Sequence, residues 1–522
     1  MFSPVRLPSG RRLRNRFVKV AMYEHLANLF GGVPNARHLH LYSSWSEGGW
    51  GMIMTGNVQV CDDHLSLGRD IVIPHTIGPA EVDAFRRLAD AIHGSGPETP
   101  LAIMQLSHTG RQSANILGGR APFVPPHAPS PVPLQFTPLS GYSLVGSAVH
   151  HLMFQKPIAM TVEEINEVIS RFVAGAKLAA STGFDGIELH ASHGYLIAEF
   201  MSPKTNHRQD EYGLDKDELS FLRQIVTAIR KSDGIPDNFV VGIKLNAADY
   251  TERSKTHGTH ANHDDTAHHS STDRAMNHLR RIAQWGLVDF MEISGGDYEN
   301  PDFMKNIGSS PRQALFADFS SNALKLLKED FSEPAVANTR PLILLTGGLR
   351  TPQLLTSALA NGHADLLGIG RLSVLYPELP KRLAATYKEN SDIPTLSFGP
   401  PKTDYRTSTI IRGWLERLVA SILFTLWTSL PSFLKPELPV LIGAGMDMAR
   451  YIVAMRAISY GTPDGHLSEG LFAVIWMWLY VAPGPWTTTS RGRLLLTGLP
   501  AVVLVAVTGS SSLRASTSAI PN

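Results

Sequence analysis

The 522-residue sequence predicts an α/β fold: a closed (β/α)8 TIM barrel followed by a mainly helical, hydrophobic C-terminal extension. Three observations lead there. Eight short apolar runs recur between Phe17 and Gly370, most of them followed by a stretch with helical periodicity. The runs are nearly continuous in Val, Ile and Leu, as parallel strands covered on both faces require. Eight such units in roughly 250 to 400 residues fit a closed barrel better than an open sheet.

In chain order the strand candidates are Phe17 to Met22, Gly51 to Gly56, Leu101 to Leu106, Gly186 to His190, Val240 to Leu245, Asp289 to Ser294, Pro341 to Thr346 and Asp365 to Gly370. The clearest helix starts after Thr161, which can cap it while Glu164 reaches back as the other half of a capping box. Its apolar positions, Val162, Ile165, Val168, Ile169, Phe172, Val173 and Ala176, lie on one face at helical spacing. Two stretches break the alternation and read as long irregular loops: Thr109 to Lys156, rich in Pro and Ser, and the His-rich segment Thr251 to Thr272. Loops of this length inside a compact domain are usually functional lids or disordered. Five histidines of the second, His257, His260, His263, His268 and His269, are expected to belong to a solvated polar insertion rather than to a metal site.

Beyond about residue 395 the texture changes. Leu418 to Leu434, Gly470 to Ser490 and Leu494 to Leu513 carry no charge, yet they are broken by Pro431, Pro483 and Pro500 and are short of a clean span of about 20 apolar residues. The expected division is residues 1–395 as barrel and 396–522 as extension, with membrane contact through residues 414–510 of an interfacial rather than spanning kind.

Hydrophobic residues at 43 % and charged residues at 18 % describe a folded globular chain, which excludes disordered, collagen-like and disulfide-scaffold classes. The net charge of +1 gives no bulk attraction to nucleic acid, and no nucleic-acid partner is expected. That near-neutrality hides an asymmetry: residues 401–522 hold 10 Lys/Arg and 6 Asp/Glu, leaving 37 and 40 for the rest. One cysteine, Cys61, excludes an internal disulfide and a four-thiolate iron–sulfur cluster, and fits a reducing compartment. The segment from Met1 to Phe17 is basic without an apolar run of signal-peptide length, so a cytoplasmic location is expected.

Barrel active sites are built where the strands end, and the residues found there are chemically coherent. Tyr23, Glu24 and His25 follow the first strand; Gln105 and His108 close the third; His190, His193 and Tyr195 follow the fourth; Lys244 ends the fifth. The seventh and eighth end in Gly347-Gly348 and Gly370-Arg371, small residues and one fixed cation at neighbouring strand ends, where backbone N–H groups can surround a phosphate. Gln105 offers a donor and an acceptor suited to the imide edge of a heterocycle, and Lys244 a charge for a ring that becomes anionic. Two imidazoles three residues apart can converge on one oxygen, and Tyr195, with an ordinary pKa near 10, keeps a proton to give. His-x-x-His is also a zinc-ligand pattern, but no third ligand of comparable quality follows, so no metal is expected.

Residues 186–213, GIELHASHGYLIAEFMSPKTNHRQDEYG, resemble the signature of the Old Yellow Enzyme family, FMN-dependent NAD(P)H:flavin oxidoreductases or ene-reductases. Matching segments are Asn15-Arg16-Phe17-Val18 leading to Met22, Gln105-Leu-Ser-His-Thr-Gly-Arg111-Gln112, Lys244, Thr346-Gly-Gly and Gly368-Ile-Gly-Arg371, in the family's order over about residues 1–395. The resemblance implies a TIM barrel holding FMN at its strand ends, with NADH or NADPH as electron donor. Val20, Ala21 and Met22 would line the flavin, Gln105 would bind its pyrimidine edge, and Lys244 would sit near N1–C2, where the family more often has Arg. Gly347, Gly348, Gly370 and Arg371 would hold the phosphate. His190 and His193 would grip the carbonyl oxygen of a small-molecule enone, and Tyr195 would protonate its α-carbon.

Tyr23 stands where the family commonly has Thr or Cys tuning the flavin, and the single cysteine removes the iron–sulfur branch of the family. The substrate pocket is expected to be shaped by the Thr109 to Lys156 lid and the loop Gly295 to Pro301. Two alternatives use the same sequence differently: a flavin reductase acting on quinones, nitro compounds or oxygen, which does not need Tyr195, and a non-catalytic, membrane-tethered barrel.

Overall fold

Each of the eight apolar runs forms a strand in the computed structural model, which describes residues 1–135, 144–247, 264–296, 298–299, 311–388, 429, 440–461 and six positions between 473 and 482. The strands are β1 (Phe17–Lys19), β2 (Met52–Gln59), β3 (Leu101–Ser107), β4 (Gly186–Ala191), β5 (Val240–Asn246), β6 (Phe290–Ser294), β7 (Leu342–Thr346) and β8 (Leu366–Ile369). All are parallel, and β1 pairs with both β8 and β2, so the sheet closes into a barrel. Outside it lie α1 (Ala36–Ser46), α2 (Pro79–His93), α3 (Val162–Ser181), α4 (Ser220–Arg230), α5 (Asp264–Gln284), α6 (Pro311–Asp330), α7 (Pro352–Ala360) and α8 (Leu379–Lys388), one after each strand.

The strand period of two sorts each strand into an outward face against the helices and an inward face that changes character from base to mouth. Leu101 and Ile103 lead to Gln105, Val240 and Gly242 to Lys244, Phe290 to Glu292 and Ser294, and Leu342 and Leu344 to Thr346. The lower layers form a dry interior cluster of Val18, Met52, Met54, Ile103, Val240, Phe290, Leu344 and Leu366. Gly242 is required there, because a Cβ would fall 2.0 Å from the Phe290 ring that fills the barrel axis. A short hairpin, Val5–Arg6 with Arg12–Leu13, places Leu7 and Leu13 in the same cluster and closes the base. Apolar layers below and polar layers above confine the chemistry to the mouth.

Helix α3 begins as expected: Thr161 Oγ1 accepts from Glu164 N at 3.2 Å, and Thr161 N donates to Glu164 Oε2 at 2.8 Å. Ile165, Val168, Ile169, Phe172 and Ala176 are buried, while Val162 and Val173 are half-buried at its edge. The segment Thr109 to Lys156 is not the irregular loop expected. It contains a turn of 3-10 helix (Gly110–Gln112), a short strand (His127–Ala128) that pairs with Ile158–Ala159 just beyond the segment, and a helix (Leu144–Met153); residues 136–143 lie outside the described residues. In the His-rich segment, residues 251–263 lie outside the described residues, so the expectation for His257, His260 and His263 does too. The rest of that segment belongs to α5, which replaces the expected loop. Among the described residues no group of three His, Cys, Asp or Glu is arranged to hold a metal.

The C-terminal extension contains α9 (Val440–Ser459), which packs on α1 and on a short helix, Arg371–Leu375, that follows β8. Among the described residues no helix is long and apolar enough to cross a membrane. Membrane contact through residues 414–510 therefore finds no support: most described apolar side chains there, Ile452, Met455 and Tyr480 among them, are buried within the protein itself, although Tyr460 is exposed. The uncharged stretches Leu418 to Leu434 and Leu494 to Leu513 lie almost wholly outside the described residues.

Candidate active site

At the mouth the strand ends surround a cavity of about 290 Å³. Of the strand-end residues singled out from the sequence, Glu24, His25 and His108 do not line it, while Val20, Ala21, Met22, Gln105, His190, His193, Tyr195, Lys244, Gly347, Gly348, Gly370 and Arg371 do. They come from six strand ends, so only closure of the barrel could bring them together.

One rim is formed by β4. His190 Nδ1 lies 3.4 Å from Ser192 N, a donor, which leaves the hydrogen on Nε2; that nitrogen lies 3.2 Å from His193 Nδ1. His193 Nε2 lies 2.9 Å from Ser294 Oγ. The two rings thus contact one another rather than pointing side by side at a common oxygen, but both border the cavity. A hydroxyl can donate or accept, so Ser294 suits either tautomer of His193. His193 adopts φ +60°, a left-handed conformation strained for a residue with a Cβ. It is held by Asn246 Oδ1, which accepts its N–H at 3.2 Å, and by Gln112 Nε2, which donates to its carbonyl at 2.7 Å. Burial, reinforced by the Lys244 charge, keeps His190 well below the ordinary histidine pKa, so it is neutral at pH 7.

The Tyr195 ring centroid lies 4.6 Å from that of His190. Its hydroxyl accepts from Asn57 Nδ2 at 3.3 Å and lies 3.3 Å from the Tyr298 hydroxyl. Burial raises the Tyr195 pKa, against the opposing effect of these hydrogen bonds, so the phenol is protonated at neutral pH. Tyr23 also faces the cavity; its oxygen accepts from Arg69 N at 3.3 Å, and burial together with Asp70 pushes its pKa well up.

Below this rim lies a polar layer. Gln105 Nε2 donates to Glu188 Oε2 at 2.5 Å, and the Lys244 ammonium lies 2.8 Å from Glu292. Burial and the adjacent Glu292 drive the Glu188 pKa far up. Although burial works against its charge, Glu292 and Glu188 hold Lys244 above the ordinary lysine value. Gln105 is thereby clamped through one N–H of its amide.

Opposite lie the small residues. Gly347 and Gly348 have φ +105° and +74°, and a Cβ on Gly368 would meet Thr346 Oγ1 at 2.2 Å. Thr346 Oγ1 is itself buried with no hydrogen-bond partner. Gly370 and Arg371 open the short helix beside them.

Asn57, Glu188, Glu292 and Ser294 were not anticipated, whereas Tyr298 belongs to the loop Gly295 to Pro301 expected to shape the pocket. Glu188 and Glu292 had a legible signal, since each lies two positions before a mouth residue on the same face of its strand. The cavity-lining side chains of α9, Met448, Tyr451, Ile452 and Met455, had none.

A closed parallel barrel whose mouth gathers an amide, cationic side chains and glycines around one cavity is the arrangement of a barrel enzyme with its site at the strand ends. Residues 1–390 match the NADH:flavin oxidoreductase / NADH oxidase family, to which the chain belongs. It is an Old Yellow Enzyme-type enzyme with FMN and NADH as its cofactors. It is 35 % identical over 408 residues to an NADH-dependent flavin oxidoreductase from Neonectria sp. (strain DH2), covering 77 % of this chain and 48 % of that one. A second NADH-dependent flavin oxidoreductase, from Hypocrea jecorina (strain QM6a), is 31 % identical, with 75 % and 91 % covered. The chain thus spans about half the length of the first relative and most of the second. The fold is shared with the old yellow enzyme homologue from Zymomonas mobilis, at TM-score 0.52 and 21 % identity over 77 % of this chain and 97 % of that one.

The residues present fit FMN. The unpartnered Thr346 hydroxyl, the glycines and Arg371 line the same cavity and would hold its phosphate, while Gln105 and Lys244 would meet the imide and N1–C2 edges of its ring.

Proposed function

We propose that the enzyme reduces the activated C=C bond of an α,β-unsaturated carbonyl compound, with Tyr195 as the proton donor. The observation that carries this is the protonated Tyr195 phenol, hydrogen-bonded to Asn57 and Tyr298 and set against His190 in the cavity that holds the glycine cradle. The chemistry that bound FMN would supply is hydride transfer, from NADH to the flavin and from the flavin to the substrate's β-carbon.

In this reading Val20, Ala21 and Met22 would line the flavin, Gln105 would hold its pyrimidine edge and Lys244 would sit near N1–C2. Gly347, Gly348, Gly370 and Arg371 would hold the phosphate. His190 donates from Nε2 to the substrate's carbonyl oxygen, and His193 joins it in the tautomer that carries hydrogen on Nδ1, with the Ser294 hydroxyl donating to Nε2. Two N–H groups on one oxygen stabilise the enolate-like charge that develops there. Tyr195 then gives its proton to the α-carbon. The division of labour along the chain is residues 1–395 as the catalytic barrel and 396–522 as the appended segment.

The test is Tyr195→Phe, with two half-reactions followed separately in the absence of oxygen. Reoxidation of the reduced enzyme by an enone should slow on the order of 10²- to 10⁴-fold, while bleaching of the flavin by NADH stays near wild type. Unchanged enone reduction would remove Tyr195 from the mechanism and favour quinone, nitro or oxygen acceptors.

A further inference from the structure

The extension begun by α9 is part of the cavity. Met448, Tyr451, Ile452 and Met455 supply one of its walls, and Tyr451, Ile452 and Met455 are 5 %, 0 % and 1 % exposed. The Tyr451 ring centroid lies 5.8 Å from the Arg371 guanidinium carbon, within the range of a cation–π contact. The wall is fastened at points away from the cavity. Arg37 Nη1 donates to Ser459 O at 3.2 Å and its guanidinium lies 3.7 Å from the Tyr460 ring centroid. Further along, Tyr480 OH donates to Leu26 O at 2.8 Å, Arg69 Nη2 donates to Tyr480 O at 2.7 Å, and Trp478 packs edge-on to His25 at 5.2 Å. Arg456 Nη2 ties the two parts together by donating to Met477 O at 2.7 Å.

We propose that α9 retains the cofactor: Tyr451 covers Arg371 and shields the phosphate subsite from water, so that FMN leaves only when this wall lifts. The inference rests on the reading of Arg371 as the phosphate cation. Excluding water lowers the local dielectric constant and strengthens the attraction between a guanidinium and a phosphate. A covered exit also ties the release rate to movement of the cover. Tyr451 and Met455 are then cofactor-retaining residues supplied by a segment beyond the matched family region, residues 1–390.

The experiment uses the full chain loaded with FMN and two readouts that need no turnover: the rate of flavin release on dilution, followed by the gain in free-flavin fluorescence, and quenching of bound-flavin fluorescence by iodide. Tyr451→Ala should release FMN about tenfold faster, the scale of losing one desolvated cation–π contact and its cover, and should admit iodide. Tyr451→Phe, which keeps the ring, should behave as wild type. Arg37→Gln, which loosens the fastening without touching the cavity, should speed release severalfold, and it decides the matter if Tyr451→Ala does not fold. Release and quenching within twofold of wild type in the folded alanine and glutamine variants would overturn the proposal while leaving the flavin site intact. A wild-type chain that binds no FMN would overturn the functional reading and this inference together.

Discussion

The hydroxyls of Tyr195 and Tyr298 lie 3.3 Å apart inside the cavity, with Asn57 as a second partner on Tyr195. Tyr298 therefore stabilises the phenolate that Tyr195 becomes after giving up its proton. Removing that hydroxyl by Tyr298→Phe pushes the Tyr195 pKa further up. Enone reduction should slow about fivefold, the scale of one neutral hydrogen bond, with flavin reduction by NADH unchanged. Anaerobic stopped-flow of each half-reaction checks this; equal slowing of both would instead indicate a general distortion of the cavity.

Ser294 and His193 form a similar pair, at 2.9 Å. Ser294→Ala leaves His193 Nε2 without the group that lets it switch tautomer. The KM for an enone should rise about tenfold, the cost of a weakened hydrogen bond to a charge-bearing oxygen, and the NADH KM should not move. Steady-state kinetics with each substrate varied in turn separates the two.

Lys19 points away from the barrel axis, with Nζ donating to Met54 O at 3.0 Å and lying 4.0 Å from the Trp45 ring centroid. Burial brings its pKa down to about 7, against the opposing pull of Glu24. The folded value lies below the unfolded one, so the unfolded chain binds more protons between about pH 7 and 10.5 and stability rises with pH across that window. Lys19→Met removes this contribution. In urea titrations at pH 7 and pH 10, wild type should gain more stability than the variant; equal gains would contradict the assignment.

His38 caps α1 from within, accepting from Asn35 N at 3.2 Å through Nδ1, and burial lowers its pKa to about 3. A histidine depressed in the folded state contributes stability above the unfolded pKa that is lost as pH falls towards the folded one, here between about 6.5 and 3. Glutamine can make the same backward reach without titrating. His38→Gln should flatten the decline in melting temperature between pH 6.5 and 4, compared by calorimetry with wild type.

The barrel was legible because its strands are mostly apolar runs with few polar residues inside them, such as Lys19, Glu188, Lys244 and Glu292, and the mouth was legible because chemistry-bearing residues end or closely follow those runs. Errors were confined to segments where that rule is silent. Thr109 to Lys156 has too many Pro and Ser to show periodicity, and its short strand pairs with a partner well separated in the chain, His127 with Ile158. The apolar composition of the extension is equally suited to lipid and to protein. Contacts such as Tyr451 against Arg371, and Tyr480 against Leu26 and Arg69, join its described part to the barrel, and those partners are far apart in the chain. The contact between His190 and His193 also depended on the backbone strain at His193, which no sequence pattern announces.

The extreme sequence separation of these contacts governs when the enzyme is completed during synthesis. The seam of the barrel joins Phe17 to Leu367, so the first strand waits on the ribosome with an unpaired edge until the last strand has been made. The Arg69–Tyr480 and Leu26–Tyr480 bonds arrive later still, across 411 and 454 positions. A nascent chain arrested between these events would have a closed barrel and an open cavity. If α9 retains the flavin, retention is completed late in maturation, and chains terminated before residue 440 would emerge with every proposed catalytic side chain and no cover over the phosphate subsite.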